Sequence, residues 1–142
     1  MATKADFTEE EWETMQKGVT GAGLLTSTYD RDFTDTFGEA NALAKYLQAE
    51  HLSASSPLMR ELAESHHTGF GVMTKVDKLE AETLAALRAA TETLEEKAPE
   101  EVDAYRALAV GAADHVAQAK GEGISEKETE AIDKIKEALG AT

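Results

Sequence analysis

Four carboxylates stand close together in this sequence: Asp30, Asp32, Asp35 and Glu39. Glu39 follows Asp35 at the i+4 spacing that puts two side chains on one helix face. Hard cations such as Ca²⁺, Mg²⁺ or Mn²⁺ take several oxygen ligands at short range, and a bend in the chain can gather them. The spacing begins like an EF-hand loop and does not continue as one. Asp35 holds the sixth position, where the sharp turn needs glycine, and Asn41 the twelfth, where a bidentate Glu belongs. An EF-hand is excluded, and a cage built here is incomplete and water-filled. Oxygen-only ligation also disfavours Zn²⁺ and copper. The competing reading is helix capping, because Asp32, Thr34 and Asp35 suit a helix N-terminus and its dipole. Acidic residues are ordinary at helix starts, so capping is the favoured reading and cation binding the second.

Other constellations carry less. Glu64-Ser65-His66-His67 holds one Glu-x-x-His, the helical spacing of carboxylate-bridged di-iron bundles, which need two such motifs and two further glutamates. His51 and His115 have Gln48 and Ala112 three residues earlier, so the second motif does not exist. His66 and His67 instead suit a helix C-terminus, and His115 a structural place. The glycines of Gly18-Val19-Thr20-Gly21-Ala22-Gly23 run in the wrong order for a dinucleotide loop, and no strand precedes them. Inside a helix such glycines cost about 1 kcal/mol each against Ala, which points to a face that another helix approaches closely. No elbow or strained turn marks a Ser-His-Asp nucleophile. The runs Glu9-Glu10-Glu11, Glu95-Glu96 and Glu100-Glu101 read as solvated helix ends.

The elements that must position these residues are helical. The chain has 142 residues with only two prolines and no cysteine, so disulfides, thiolate metal sites and iron–sulfur clusters are excluded. Its length is one domain's worth, and residues 1–142 are expected to form a single all-helical domain. The net charge of -14 repels a phosphate backbone, which argues against nucleic-acid partners and leaves a basic protein as a fitting one. Neither a signal peptide nor a transmembrane run is present, so the expected place is the cytoplasm, with no membrane insertion.

Apolar spacing of three and four predicts about six helices. The first spans about residues 9 to 28, through Trp12, Met15, Val19 and Ala22, and Thr8 with Glu11 forms a capping box at its start. The second runs from about 35 to 51. Ser56-Pro57 opens a third that ends near His66, with Pro57 at the first helical position. Thr74 and Asp77 open a fourth with the stripe Val76, Leu79, Thr83, Leu87, Ala90 and Leu94. Pro99 starts a fifth carrying Val102, Tyr105, Leu108, Ala112 and Val116. Ser125 and Glu128 box a last helix that closes on Gly140. Trp12, Phe37, Tyr46 and Tyr105 must supply much of the large core area in so aromatic-poor a chain.

The stretch from Val19 to Thr34 can be laid over Val110 to Ser125 without a gap. Each ends a helix, crosses a polar loop, places one large apolar residue (Phe33, Ile124) and then a hydroxyl cap. Around the second loop, Ala119-Lys120-Gly121-Glu122-Gly123-Ile124-Ser125-Glu126-Lys127-Glu128 resembles the signature of the TerB-like, tellurite-resistance helical domains. That signature reads Ala-Asp-Gly, a variable residue, Ile or Val, Ser, two variable residues and Glu. The first copy, Tyr29 to Phe37, keeps Asp30 at the family's Asp, with Arg31 in place of Gly; the second has Lys120 in place of Asp. The resemblance implies two helix–loop–helix units in a pseudo-two-fold bundle, a non-enzymatic stress-associated role, and divalent-metal binding. The expected function is a non-enzymatic helical domain binding a divalent cation through Asp30, Asp32, Asp35 and Glu39. The alternative is a metal-free module for a protein partner or a small ligand.

Overall fold

A computed structural model describes residues 3–29, 45–52, 54, 56–64, 76–118 and 126–140. The fold is all-α, and no strand occurs among the described residues. Its helices are α1 (Glu9–Tyr29), α2 (described over 45–52), α3 (Pro57–Glu64), α4 (Val76–Lys97), α5 (Val102–Gln118) and α6 (Glu126–Ala138). Short 3-10 turns, Lys4–Asp6 and Pro99–Glu101, lead into α1 and α5. The fifth α-helix therefore begins at Val102 rather than Pro99. Pro99 lacks an N–H, and the chain first makes a tighter turn in which Glu101 N–H bonds Ala98 O at 2.9 Å. No helix among the described residues is long and apolar enough to cross a membrane.

Local chemistry sets the helix ends. Thr8 N–H donates to Glu11 Oε1 at 2.9 Å and Glu11 N–H to Thr8 Oγ1 at 3.0 Å, the reciprocal box expected from the sequence. Ser56 Oγ accepts Met59 N–H at 3.3 Å, capping α3 just before Pro57. Gly140 has φ +73°, a left-handed conformation that glycine adopts without penalty, and it ends the chain's last helical turn.

Helix α1 packs against α4, α5 and α6, so most of its circumference is covered. Its interior stripe of Trp12, Met15, Val19, Ala22 and Leu25 joins Leu87 and Leu94 of α4, Tyr105 and Leu108 of α5, and Ile135 of α6 in one buried cluster. Two buried hydroxyls on these helices are satisfied locally, Thr26 Oγ1 donating to Ala22 O and Thr91 Oγ1 to Leu87 O. Gly18 sits where close approach was expected. A Cβ there would overlap the Tyr105 hydroxyl and press on Leu87. The missing side chain lets α5 bring its tyrosine onto α1, where Tyr105 Oη donates to Met15 O at 2.8 Å.

Candidate functional site

The four carboxylates Asp30, Asp32, Asp35 and Glu39 lie outside the described residues, as do His66, His67, Phe33, Phe37, Ile124 and both loops of the internal echo. Among the described residues, no group of three or more His, Asp or Glu is placed to hold a metal ion. The described histidines have structural places. His51 Nδ1 lies 2.9 Å from Arg60 O, joining α2 to α3, and the exposed His115 ring stands 4.5 Å from the Tyr46 ring.

A cleft of about 400 Å³ opens at the head of α1, lined by Lys4, Phe7, Thr8, Glu9, Trp12, Glu13 and Gln16. Thr8 of the capping box stands in its wall. With Thr8 as the cap, Phe7 precedes the cap and Trp12 is the fourth helical residue, the two positions of a hydrophobic staple. Their rings meet with centroids 6.3 Å apart and planes tilted by 45°. Helix periodicity then stacks Trp12 with Gln16, and Glu9 with Glu13, along adjacent rows.

Helix α4 fixes the staple from the far side. Lys97 Nζ donates to Glu11 Oε1 at 2.6 Å and to Asp6 O at 3.2 Å, and lies 5.6 Å from the centre of the Phe7 ring. The Lys97 hydrogen bond, with the Thr8 N–H behind it, holds the Glu11 carboxyl below its ordinary range. On the other ring, Lys4 Nζ stands 5.5 Å from the Trp12 centroid, a cation–π pair within the lining itself.

One polar atom in this lining is buried without a partner among the described residues. Trp12 is 5% exposed, and its indole Nε1–H is shut from solvent with no acceptor. Gln16, one turn along α1, is 6% exposed. Buried polar groups are satisfied in the large majority of cases, so the unpartnered indole N–H in this cleft calls for an explanation. Trp12 was expected in the core and is buried. Phe7, Lys4 and Gln16 were not singled out in the sequence, although an aromatic residue directly before a Thr-x-x-Glu box is the signal of a staple.

A second cleft, about 270 Å³, lies between α2, α3 and α5 and is lined in part by Tyr46, Glu50, Ser56, Met59 and Leu108. Beside it the structure corrects one expectation. Glu101, read as part of a solvated acidic run, is only 7% exposed. Its carboxylate accepts a short hydrogen bond from Ser56 Oγ, whose oxygen already caps α3. The donor that buries this charge comes from a residue 45 positions away, beyond the reach of any local pattern. Glu95, Glu96 and Glu100 are exposed, as expected. Comparison of the chain with protein-family models, curated proteins and solved structures finds no match.

Proposed function

We propose that this chain is a non-catalytic helical module that binds a small amphipathic ligand in the cleft at the head of α1. The observation that supports it is the unpartnered Trp12 indole N–H, beside two stapled aromatic rings in a cleft that the Gln16 carboxamide also lines. Ligand sites are concave, mostly apolar, and furnished with a few convergent polar groups, and volumes of about 300–1,000 Å³ are usual. A bound molecule supplies the acceptor that the fold leaves out for the indole. Trp12 is the only tryptophan in the chain, so its emission reports on this cleft alone. A panel of cationic, neutral and anionic amphiphiles should contain members that change that emission saturably and raise Tm. At 100 times its dissociation constant, a ligand adds about 2.7 kcal/mol of stability. Gln16→Leu should remove the response while the helix content stays. A panel in which no member moves the Trp12 signal would overturn the reading.

A second site follows from the sequence, in line with the TerB-like resemblance: a hard divalent cation held weakly by Asp30, Asp32, Asp35 and Glu39. Its support is the density of carboxylates in that stretch. Calorimetric titration with Ca²⁺, Mg²⁺ and Mn²⁺ at about 0.15 M salt, which screens non-specific condensation, tests it. Asp30→Asn with Asp32→Asn should abolish the binding; equal affinity in both proteins leaves helix capping as the whole role of these residues.

A further inference from the structure

Resting on the reading of the α1 cleft as a ligand site, we infer that its ligand is an ammonium-bearing amphiphile. The cationic group lies on the indole of Trp12 in place of Lys4, in a cleft that Glu9 and Glu13 also line.

The lining itself shows what Trp12 attracts. The Lys4 ammonium stands 5.5 Å from the ring centre and has no other partner among the described residues. Lys4 is exposed and sits in a three-residue 3-10 turn near the chain's start, so little besides the ring holds it. It is a tethered occupant of the kind a soluble ammonium can replace. Phe7 is different: the lysine over it, Lys97, is fastened to Glu11 and to Asp6 O, and stays. The cleft thus has one aromatic partner whose cation is fixed and one whose cation is exchangeable.

Charge selects the same class. The lining carries one lysine against Glu9 and Glu13, and once Lys4 leaves, only the two carboxylates remain. The whole chain is at -14, so its field draws cations in and turns anions away. An aromatic face attracts an ammonium through its ring quadrupole, and the two lining carboxylates add a longer-range pull in the same direction. The Gln16 carboxamide offers both a donor and an acceptor to a hydroxyl or carbonyl on the ligand's body.

The test uses the full chain and choline chloride as the probe, read by Trp12 emission at about 0.15 M salt. Its uncharged counterpart, with carbon in place of the quaternary nitrogen, has the same shape and serves as the control. Choline should bind saturably and about tenfold or more tighter than the control, the difference being the charge on the indole. Lys4→Gln, a change at an exposed residue, should tighten choline binding by about two- to fivefold by removing the tethered competitor. Glu13→Gln should weaken it. Equal affinity for choline and the carbon control, or weaker choline binding in Lys4→Gln, would overturn the ammonium assignment and leave the cleft reading standing. A Trp12 signal that neither compound moves, with no response to the wider panel, overturns both.

Discussion

Two tyrosines in this molecule do the same thing in different surroundings. Tyr105 Oη lies over Gly18 and donates to Met15 O, three residues before that glycine, at 2.8 Å. Tyr46 Oη lies over Gly111 and donates to Leu108 O, again three residues before, at 3.3 Å. In each case a helix gives up a side chain so that a neighbour's phenol reaches its backbone. Tyr105 is 0% exposed and sits where α1, α4 and α5 meet, whereas Tyr46 is 8% exposed and faces the smaller cleft beside Glu50 and the His115 ring. The device is equal and the closure is not. One contact is sealed by helices on every side; the other forms the edge of a groove, with room for its phenol to move.

The largest consequence is expected on truncation. Tyr105→Ala should cost about 3–5 kcal/mol, because a sealed site cannot collapse onto the space left behind. Tyr46→Ala should cost clearly less, since its site is open at one side and water can enter. Urea unfolding of both variants compares them directly, and equal losses would break the contrast.

Glycine replacement sharpens it at a smaller scale. A Cβ at Gly18 gains about 1 kcal/mol of helix propensity. It also meets the Tyr105 hydroxyl and Leu87, neither of which has anywhere to go. Overpacking of this kind costs about 1–3 kcal/mol, so Gly18→Ala should be a net loss. A Cβ at Gly111 overlaps the Tyr46 hydroxyl and ring edge more deeply. There the phenol can swing into the cleft, so Gly111→Ala should come out nearer neutral. Its cost should appear as increased access of quenchers to Tyr46. A Gly111→Ala variant as unstable as Gly18→Ala would show that Tyr46 is held as rigidly as Tyr105.

What could be read from the sequence divides along the same line between local and distant. The Thr8–Glu11 box, the Ser56 cap before Pro57 and the Gly140 stop each depend on residues within four positions, and all three are where the sequence placed them. The glycines of α1 announced a close approach but not its partner, because Tyr105 arrives from 90 positions away. Glu101 was misread for the same reason: a run of glutamates looks solvated until a distant hydroxyl is brought to it. The α1 cleft falls between these cases. Its Phe7–Trp12 staple rests on local residues but was not read from them, and the missing partner of the indole is a property of the packed chain. The acidic quartet was legible as chemistry, and its geometry lies outside the described residues.

The finest distinction between the tyrosines lies in their ionisation. Burial pushes the Tyr105 hydroxyl far above its ordinary value near 10 and is the sole cause. Burial also dominates at Tyr46, but the carboxylates of Glu50 and Asp114 add to it by repelling a phenolate. In both cases the folded state keeps a proton that the unfolded chain loses above about pH 10. Stability is therefore untouched below that pH and falls above it, by about 1.4 kcal/mol per pH unit for each tyrosine. Tyr105→Phe and Tyr46→Phe should each flatten that alkaline slope by one such step. Salt then separates them. At about 1 M the screening length shrinks to about 3 Å, which relieves the repulsion from Glu50 and Asp114 and leaves desolvation unchanged. Phenolate absorbance should thus appear at lower pH in high salt for Tyr46, measured in a background with both Tyr29→Phe and Tyr105→Phe. A background with both Tyr29→Phe and Tyr46→Phe should show Tyr105 ionising only as the chain unfolds, at any salt. Identical salt responses at the two sites would mean that burial alone governs both, and that the cleft beside Tyr46 is as dry as the core.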